Sequence, residues 1–503
     1  MTHLVRIRLE PLGVTLEVKR GTPLQDVLFP YGVEFPCGGQ ADCRGCRVRL
    51  VSGELFASLD EQVILSASEI ERGWRLACRG VAEADITLDI AQWETVILSD
   101  DSTFEFTPRE GLGVAVDLGT TTLVAQLLDL ATGRVLGVRT ALNPQAAWGA
   151  DVMSRIQFAM TAGGAEKLAA TIRGQIGELV CELLEGRASE PQLTEVTIVG
   201  NTVMHHLFCG IPVEPLSHVP FEAVRDGLEV FSAGDLDWTC VAGTPVRFLP
   251  CFGGFVGSDI LAGVLAVRMH ESDEVVGLVD LGTNGEIVIG NRERIVCAST
   301  AAGPAFEGGR ISMGMRASTG AISEVHLSGG RLVCHALGGV EPRGICGSGL
   351  VDAVAAGLDS GAVAPNGRLP GKGAWPLAPP VSITQADVRE LQLAKAAIAA
   401  GIRIVCRRRG VEPAAVKRLY LAGAFGNYIN RASARRIGLL DFPLDLVHPA
   451  GNTALLGAKL ALFQGDGREA YANLRARVEH ISLAEDPEFM DIYVDEMGFP
   501  SRD

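Results

Sequence analysis

Two copies of one short pattern constrain this chain more than any other feature. An apolar run ends at Asp117 within VAVDLGTTT, and the same arrangement returns at Asp280 within LVDLGTNGE, 163 residues further on. Each copy predicts strands joined by tight turns: GVAVDLGTTTLVAQLLDLATGRVLGVRT reads as three strands, and VVGLVDLGTNGEIVIGNRERIVCAS repeats them. A single DLGT is an ordinary hairpin turn. Two at domain-sized spacing imply a duplicated fold. The chemistry fits a phosphate clamp, because a glycine-containing turn presents successive backbone amides and hydroxyls to a phosphate. An aspartate at the strand end suits Mg²⁺, which keeps much of its hydration shell and is held largely through water. The candidates are Asp117 and Asp280 for the ion. Gly119, Thr120 and Thr121 in the first turn, and Gly282, Thr283 and Asn284 in the second, would take the phosphates. No GxxxxGK[ST] occurs, so the generic phosphate loop is excluded.

Three further segments agree. LYLAGAFGNYIN (419–430) is an apolar strand running into a glycine turn, where Gly423 and Gly426 would let an adenosine approach closely. FLPCFGGFVGSDILAGVLAV (248–267) and GNTALLGAKLAL (451–462) each lead into a small-residue helix suited to tight packing. In this order the segments resemble the five signatures of the acetate and sugar kinase, heat-shock chaperone and actin superfamily, over residues 113–465. The resemblance implies two ribonuclease H-like halves around a cleft that ATP closes. The hydrolytic base stays open, with Asp259 and Glu286 as candidates.

The first ninety residues carry a different signal. Cys37, Cys43, Cys46 and Cys78 form C-x5-C-x2-C-x31-C inside FPCGGQADCRGCRVRL and RLACRG. A [2Fe–2S] cluster takes four thiolates, here three from one loop and a fourth from elsewhere. Gly38, Gly39 and Gly45 would let backbone amides turn toward the sulfides. A zinc site prefers two short cysteine pairs, and only one is present. A disulfide is disfavoured in a cytoplasmic chain. Around the loop, VRIRLEP and VTLEVKRG read as a hairpin, TPLQDVLF as a short helix and CRVRLVSG as a return strand. The pattern resembles plant- and vertebrate-type [2Fe–2S] ferredoxins, nearer the vertebrate spacing, and by position all four cysteines carry over as ligands.

The expected order is an α+β ferredoxin-like β-grasp domain (1–93), a polar linker (94–112) containing Pro108, and an α/β duplicated ribonuclease H-like, actin-type ATPase. The ATPase halves are expected at 113–270 and 271–503. Composition agrees with a folded chain: 47% hydrophobic content excludes disorder, and the 60 glycines follow no triplet period. A net charge of −16 disfavours nucleic acid and anionic membrane as partners. No apolar run reaches transmembrane length, and the opening residues alternate like a strand and lack a signal peptide's long apolar core, so a cytoplasmic location is expected. Eight scattered cysteines (Cys181, Cys209, Cys240, Cys251, Cys297, Cys334, Cys346 and Cys406) read as small buried hydrophobes in a reducing compartment.

Other segments are less specific. GICGSGLVDAVAAGL (344–358) suits either a phosphate cradle or a tightly packed helix start, with Cys346 a buried structural thiol. Glu307, in a loop read as facing the cleft, has no spacing rule behind it. His205 and His206 in VGNTVMHHLFCGI point about 100° apart on a helix and read as packing or capping groups. Asn201 and Thr202 follow a strand toward the cleft. Asp151 in NPQAAWGADVMSRI reads as a helix cap.

An electron carrier fused to an ATP-driven clamp makes sense when ATP helps an electron reach a reluctant acceptor. VAVDLGTTT, NPQAAWGADVMSRI, VGNTVMHHL, GICGSGLVDA and LAGAFGNYI together resemble the reductive activators of corrinoid-dependent methyltransferases across essentially the whole chain. That resemblance implies ATP-dependent one-electron reduction of a Co(II) corrinoid protein to Co(I), an unidentified low-potential electron donor, and a homodimer. Some members carry a separate middle domain or a C-terminal [4Fe–4S] segment, and this chain is expected to have room for neither. Two rival classes are a redox-regulated small-molecule kinase and a nucleotide-gated electron carrier without turnover.

Overall fold

The computed structural model describes residues 4–10, 14–28, 31, 33, 41, 46–65, 67–90, 106–149, 151–186, 192–282, 284–315, 317, 320–369, 373–465 and 467–501. Cys37, Cys43, Thr283, the glycines of the cysteine loop and most of the linker lie outside them.

The amino-terminal domain is a mixed five-stranded sheet in the order Val14–Lys19, Leu4–Glu10, Ile86–Asp89, Arg47–Ser52, Trp74–Leu76. Leu4–Glu10 buries alternate residues, Val5, Ile7 and Leu9, as one covered face requires. It runs antiparallel to Val14–Lys19 and parallel to Ile86–Asp89. The helices Leu24–Leu28 and Leu59–Ile64 accompany the sheet.

Two six-stranded sheets follow. The first has the order Val135–Leu142, Thr122–Asp129, Leu112–Leu118, Leu193–Gly200, Pro245–Phe248, Glu229–Ser232. The second has the order Val447–Gly451, Arg418–Ala422, Val276–Leu281, Gly285–Gly290, Ile295–Thr300, Val478–His480. In both, an antiparallel three-stranded meander is followed by two parallel strands beside its first strand. The duplication read from the two DLGT copies is thus a repeated topology. Leu112–Leu118 and Val276–Leu281 are buried on both faces, as central strands covered by helices must be. Asp117 and Asp280 alone interrupt that burial within their strands, and both are half-buried where the cleft opens.

The helices Ser258–Ala266 and Thr453–Leu462 join the halves by crossing one another. A Cβ on Gly457 would collide with the Ala262 carbonyl, so the closest approach demands glycine. Around this crossing one hydrophobic cluster unites Ala115 and Val199 of the first sheet with Leu278 and Ala422 of the second, through Ile260, Leu261, Leu455 and Ala458. The first half also grips the end of Thr453–Leu462. Arg109 donates to the Leu462 carbonyl and Arg247 to those of Ala461 and Gly465, placing cations at a helix C-terminus. The Phe106 and Phe463 rings pack tilted at 46° with centroids 4.5 Å apart, so the described end of the expected linker lies against the ATPase fold.

The reading of all eight scattered cysteines as isolated hydrophobes is corrected. Cys181, on the helix Gly164–Leu184, forms a disulfide with Cys240, 59 residues away, with Cα atoms 6.1 Å apart. The long helix brings them together, a contact that neither local sequence announces. Cys240 is exposed and Cys334 half-exposed, whereas Cys209, Cys251, Cys297, Cys346 and Cys406 are buried as expected. Among the described residues no helix is long and apolar enough to cross a membrane.

Candidate functional site

Asp117, Asp259, Asp280 and Glu286 converge at the cleft. Asp280 and Glu286 are cross-strand partners on Val276–Leu281 and Gly285–Gly290, so the antiparallel register puts both carboxylates on one face. Asp259 joins them from the first turn of Ser258–Ala266. Withdrawal from water raises all four, and mutual repulsion adds to it. Asp117 is pushed up to about 6 by burial, against a lowering hydrogen bond from Asn452. Asp280 rises to about 7, by burial and then by Asp117. Asp259 reaches about 8, by burial, Asp280 and Asp117. Glu286 is raised by burial, Asp259 and Asp280, while the Ser299 hydroxyl, donating at 3.1 Å, opposes this. Half-buried carboxylates that repel one another suit a divalent cation, whose charge would relieve the repulsion.

The two copies are not equivalent. Opposite Asp117 the first hairpin carries Val124, where the second carries Glu286 opposite Asp280. The candidate bases therefore belong to the second copy and the connecting helix.

The first turn is held from outside the DLGT motif. The Gly119 N–H donates to the Thr122 carbonyl at 3.1 Å. Asn143 Nδ2 donates to the Gly119 carbonyl at 2.9 Å and its N–H to the Thr121 carbonyl at 2.8 Å. Asn201, which caps Thr202–Cys209, donates from Nδ2 to Thr120 Oγ1 at 2.9 Å. Arg155 is fully buried and donates to the carbonyls of Thr120 at 2.6 Å and Gly149 at 2.9 Å, and to Gln145 Oε1 at 3.2 Å. Burial lowers it only to about 10, so it stays charged at neutral pH. Asn143, Arg155 and Asn452 were not singled out in sequence. Asn143 and Arg155 bracket the quoted NPQAAWGADVMSRI segment, but nothing local marks a buried arginine.

In the second turn the Gly282 N–H donates to the Asn284 carbonyl at 3.0 Å. Gly423 has φ +80°, and a Cβ there would strike Asp280 Oδ1. Its close approach is to the aspartate of the second turn. Gly426 lies over Leu421.

The lesser motifs resolve toward packing. A Cβ on Gly347 would strike the Phe306 carbonyl, so GICGSGL is a tightly packed helix start, and burial raises the Cys346 thiol. His205 and His206 are fully buried, donating to the carbonyls of Gly227 at 3.1 Å and Thr202 at 2.8 Å. Asp151 caps Val152–Ala159 reciprocally with Ser154. Glu307 is exposed at the end of the turn Pro304–Glu307.

In the amino-terminal domain Cys46 is buried and Cys78 half-buried, and neither is in a disulfide. The Ala77 N–H donates to the Cys46 carbonyl at 2.8 Å, so the fourth cysteine of the pattern is delivered beside the third. That arrangement fits two ligands of one cluster. Tyr428, the last residue of the helix Gly423–Tyr428, packs against this domain's core and connects it to the cleft's second half.

These features define a class: an iron–sulfur electron-carrier domain fused to an actin-type ATPase. Residues 7–83 match the 2Fe-2S iron-sulfur cluster binding domain, residues 112–272 the RACo middle region, and residues 274–503 the C-terminal domain of RACo, the ASKHA domain. The chain is 33% identical to the corrinoid activation enzyme RamQ of Eubacterium limosum, over 79% of this chain and 73% of that one. It is 27% identical to the [Co(II) methylated amine-specific corrinoid protein] reductase of Methanosarcina barkeri, over 77% of each. The solved structure of a reductive activator for corrinoid, iron-sulfur protein matches with a TM-score of 0.70 and 27% identity, over 99% of both chains. The chain belongs to the corrinoid activation enzyme family of reductive activators. One expectation is corrected: the chain does have a region matching the RACo middle region, and it is the segment read as the first ATPase half.

Proposed function

We propose that this protein returns a corrinoid protein from inactive Co(II) to Co(I) by one-electron reduction coupled to ATP hydrolysis. The single observation that carries the reading is the union, in one chain, of the cysteine-bearing domain with a carboxylate-lined two-half cleft, in a family whose members include a corrinoid activation enzyme and a Co(II) corrinoid protein reductase. Cys37, Cys43, Cys46 and Cys78 would hold a [2Fe–2S] cluster, which when bound supplies electrons one at a time. Asp117 and Asp280 would hold Mg²⁺ through water. The two turns, Gly119, Thr120 and Thr121 with Gly282, Thr283 and Asn284, would take the phosphates, and Gly423 and Gly426 would border the adenosine. Asp259 and Glu286 are the candidate bases: burial and the neighbouring carboxylates raise the proton affinity of both, as a proton acceptor needs. Domain limits follow the same reading, with the first ATPase half ending near residue 270. A low-potential donor, a homodimer and a cytoplasmic setting belong to it as well.

Tyr428 gives the coupling a physical route, since a change at Gly423–Tyr428 on nucleotide binding would be felt by the cluster domain. The test is optical. Anaerobically reduced protein is mixed with a Co(II) corrinoid protein, with and without Mg²⁺–ATP, while the Co(I) band is followed. ATP-dependent Co(I) formation, abolished in Cys43→Ser, is expected. No Co(I) across a panel of corrinoid proteins, with the cluster reduced and ATP turned over, would overturn the reading in favour of the kinase.

A further inference from the structure

Away from the cleft, the strands Ala321–Ser328 and Arg331–Ala336 form a hairpin whose outward face gathers Glu324, His326 and His335. The pairing shifts between Ile322 and Glu324, and this irregularity sets Glu324 directly opposite His335. His326, two residues beyond Glu324, falls on the same face. One ligand atom from each of the three lies within 4.8 Å of the other two. The two imidazoles stack with centroids 5.6 Å apart at 20°, and His326 Nδ1 is 2.9 Å from Glu324 Oε1.

We propose that these three side chains form a binding site for a divalent transition-metal ion, with Zn²⁺ as its representative. Two imidazoles and one carboxylate are a set that zinc accepts with a fourth position open. Bonds of about 2.0–2.2 Å would set the ligand atoms roughly 3.4 Å apart, within the 4.8 Å they now span, an adjustment that side-chain rotation supplies. The imidazoles separate this set from the carboxylates of the cleft: nitrogen ligands select zinc, nickel or copper, and an all-oxygen site selects magnesium. All three residues are at least partly exposed, so an ion can enter from solvent. The strand beneath is fixed, because the Val325 N–H donates to Asp352 Oδ2 at 3.3 Å from the buried helix Gly347–Ser360. A ligand-bearing strand anchored to a helix keeps its side chains in register.

The experiment uses the full chain with its cluster, kept anaerobic. Parent and the double variant His326→Gln/His335→Gln are incubated with excess Zn²⁺, desalted, and analysed for zinc and iron. The parent is expected to retain about one more zinc per chain than the variant, as a single site requires, with equal iron and equal ATP turnover in both. Zn²⁺ should raise the melting temperature of the parent more than that of the variant, whose cleft carboxylates are intact, and Glu324→Gln should retain less zinc than the parent. Equal zinc retention by parent and double variant would overturn the proposal.

Discussion

Asn452 Nδ2 donates a 2.8 Å hydrogen bond to Asp117 Oδ2, joining positions 335 residues apart. The same side chain caps Thr453–Leu462 by accepting from the Leu455 N–H at 2.8 Å. One residue therefore starts the connecting helix of the second half and holds the first half's aspartate below the value that burial alone would give it.

Asn452→Ser keeps a capping oxygen and removes the donor to Asp117. That hydrogen bond lowers Asp117, so its loss should move the carboxyl above its present value of about 6. The acidic limb of the ATPase pH profile should then shift to higher pH, and an unmoved limb would refute the link.

Asp117→Ala should reduce ATP turnover by roughly 10²–10³-fold, the scale of losing one preorganised electrostatic contact. The visible spectrum of the cluster should be unchanged. Hydrolysis at the parent rate would show the phosphate-site assignment to be wrong.

The cleft carboxylates make the metal-free protein sensitive to base. Asp117, Asp280 and Asp259 bind their protons more tightly folded, near 6, 7 and 8, than an unfolded carboxylate does. The folded state thus holds more protons from the ordinary carboxylate value of 3.8 upward, and the stability these groups contribute falls as pH rises from there, the loss being complete once pH has passed about 8. Without Mg²⁺ the melting temperature should fall between the ordinary carboxylate value of 3.8 and about 8, less steeply in Asp259→Asn. Mg²⁺ should restore more stability at pH 8 than at pH 6, and the reverse order in a thermal scan would contradict the cation site.

Tyr428→Ala should leave ATP hydrolysis near the parent rate while slowing Co(I) formation severalfold. Both rates measured on one preparation decide the matter. Equal slowing of the two would place Tyr428 in the nucleotide site and not in the coupling.

Gly457→Ala should cost about 1–3 kcal/mol, the usual range for overpacking, because its methyl meets the Ala262 carbonyl at the helix crossing. Thermal unfolding reads this directly, and an unchanged melting temperature would mean that the crossing yields.

Sequence alone determined the elements whose cause is local or repeated. Two DLGT copies fixed two related sheets, since an apolar strand followed by a glycine turn folds the same way wherever it recurs. Capping signals were equally legible, as at Asp151. The spacing of Cys37, Cys43 and Cys46, with Cys78 further on, announced an iron–sulfur domain because residues that share one loop lie close in sequence. Tertiary structure decided the rest. Glu286 faces Asp280 only through strand register. Asn452 meets Asp117, and Cys181 meets Cys240, only because helices carry distant residues together. Arg155 lies buried behind the first turn, where its charge is satisfied by carbonyls that no periodicity reveals. Contacts of this kind depend on how whole elements pack, and a linear pattern records only what neighbours along the chain impose on one another.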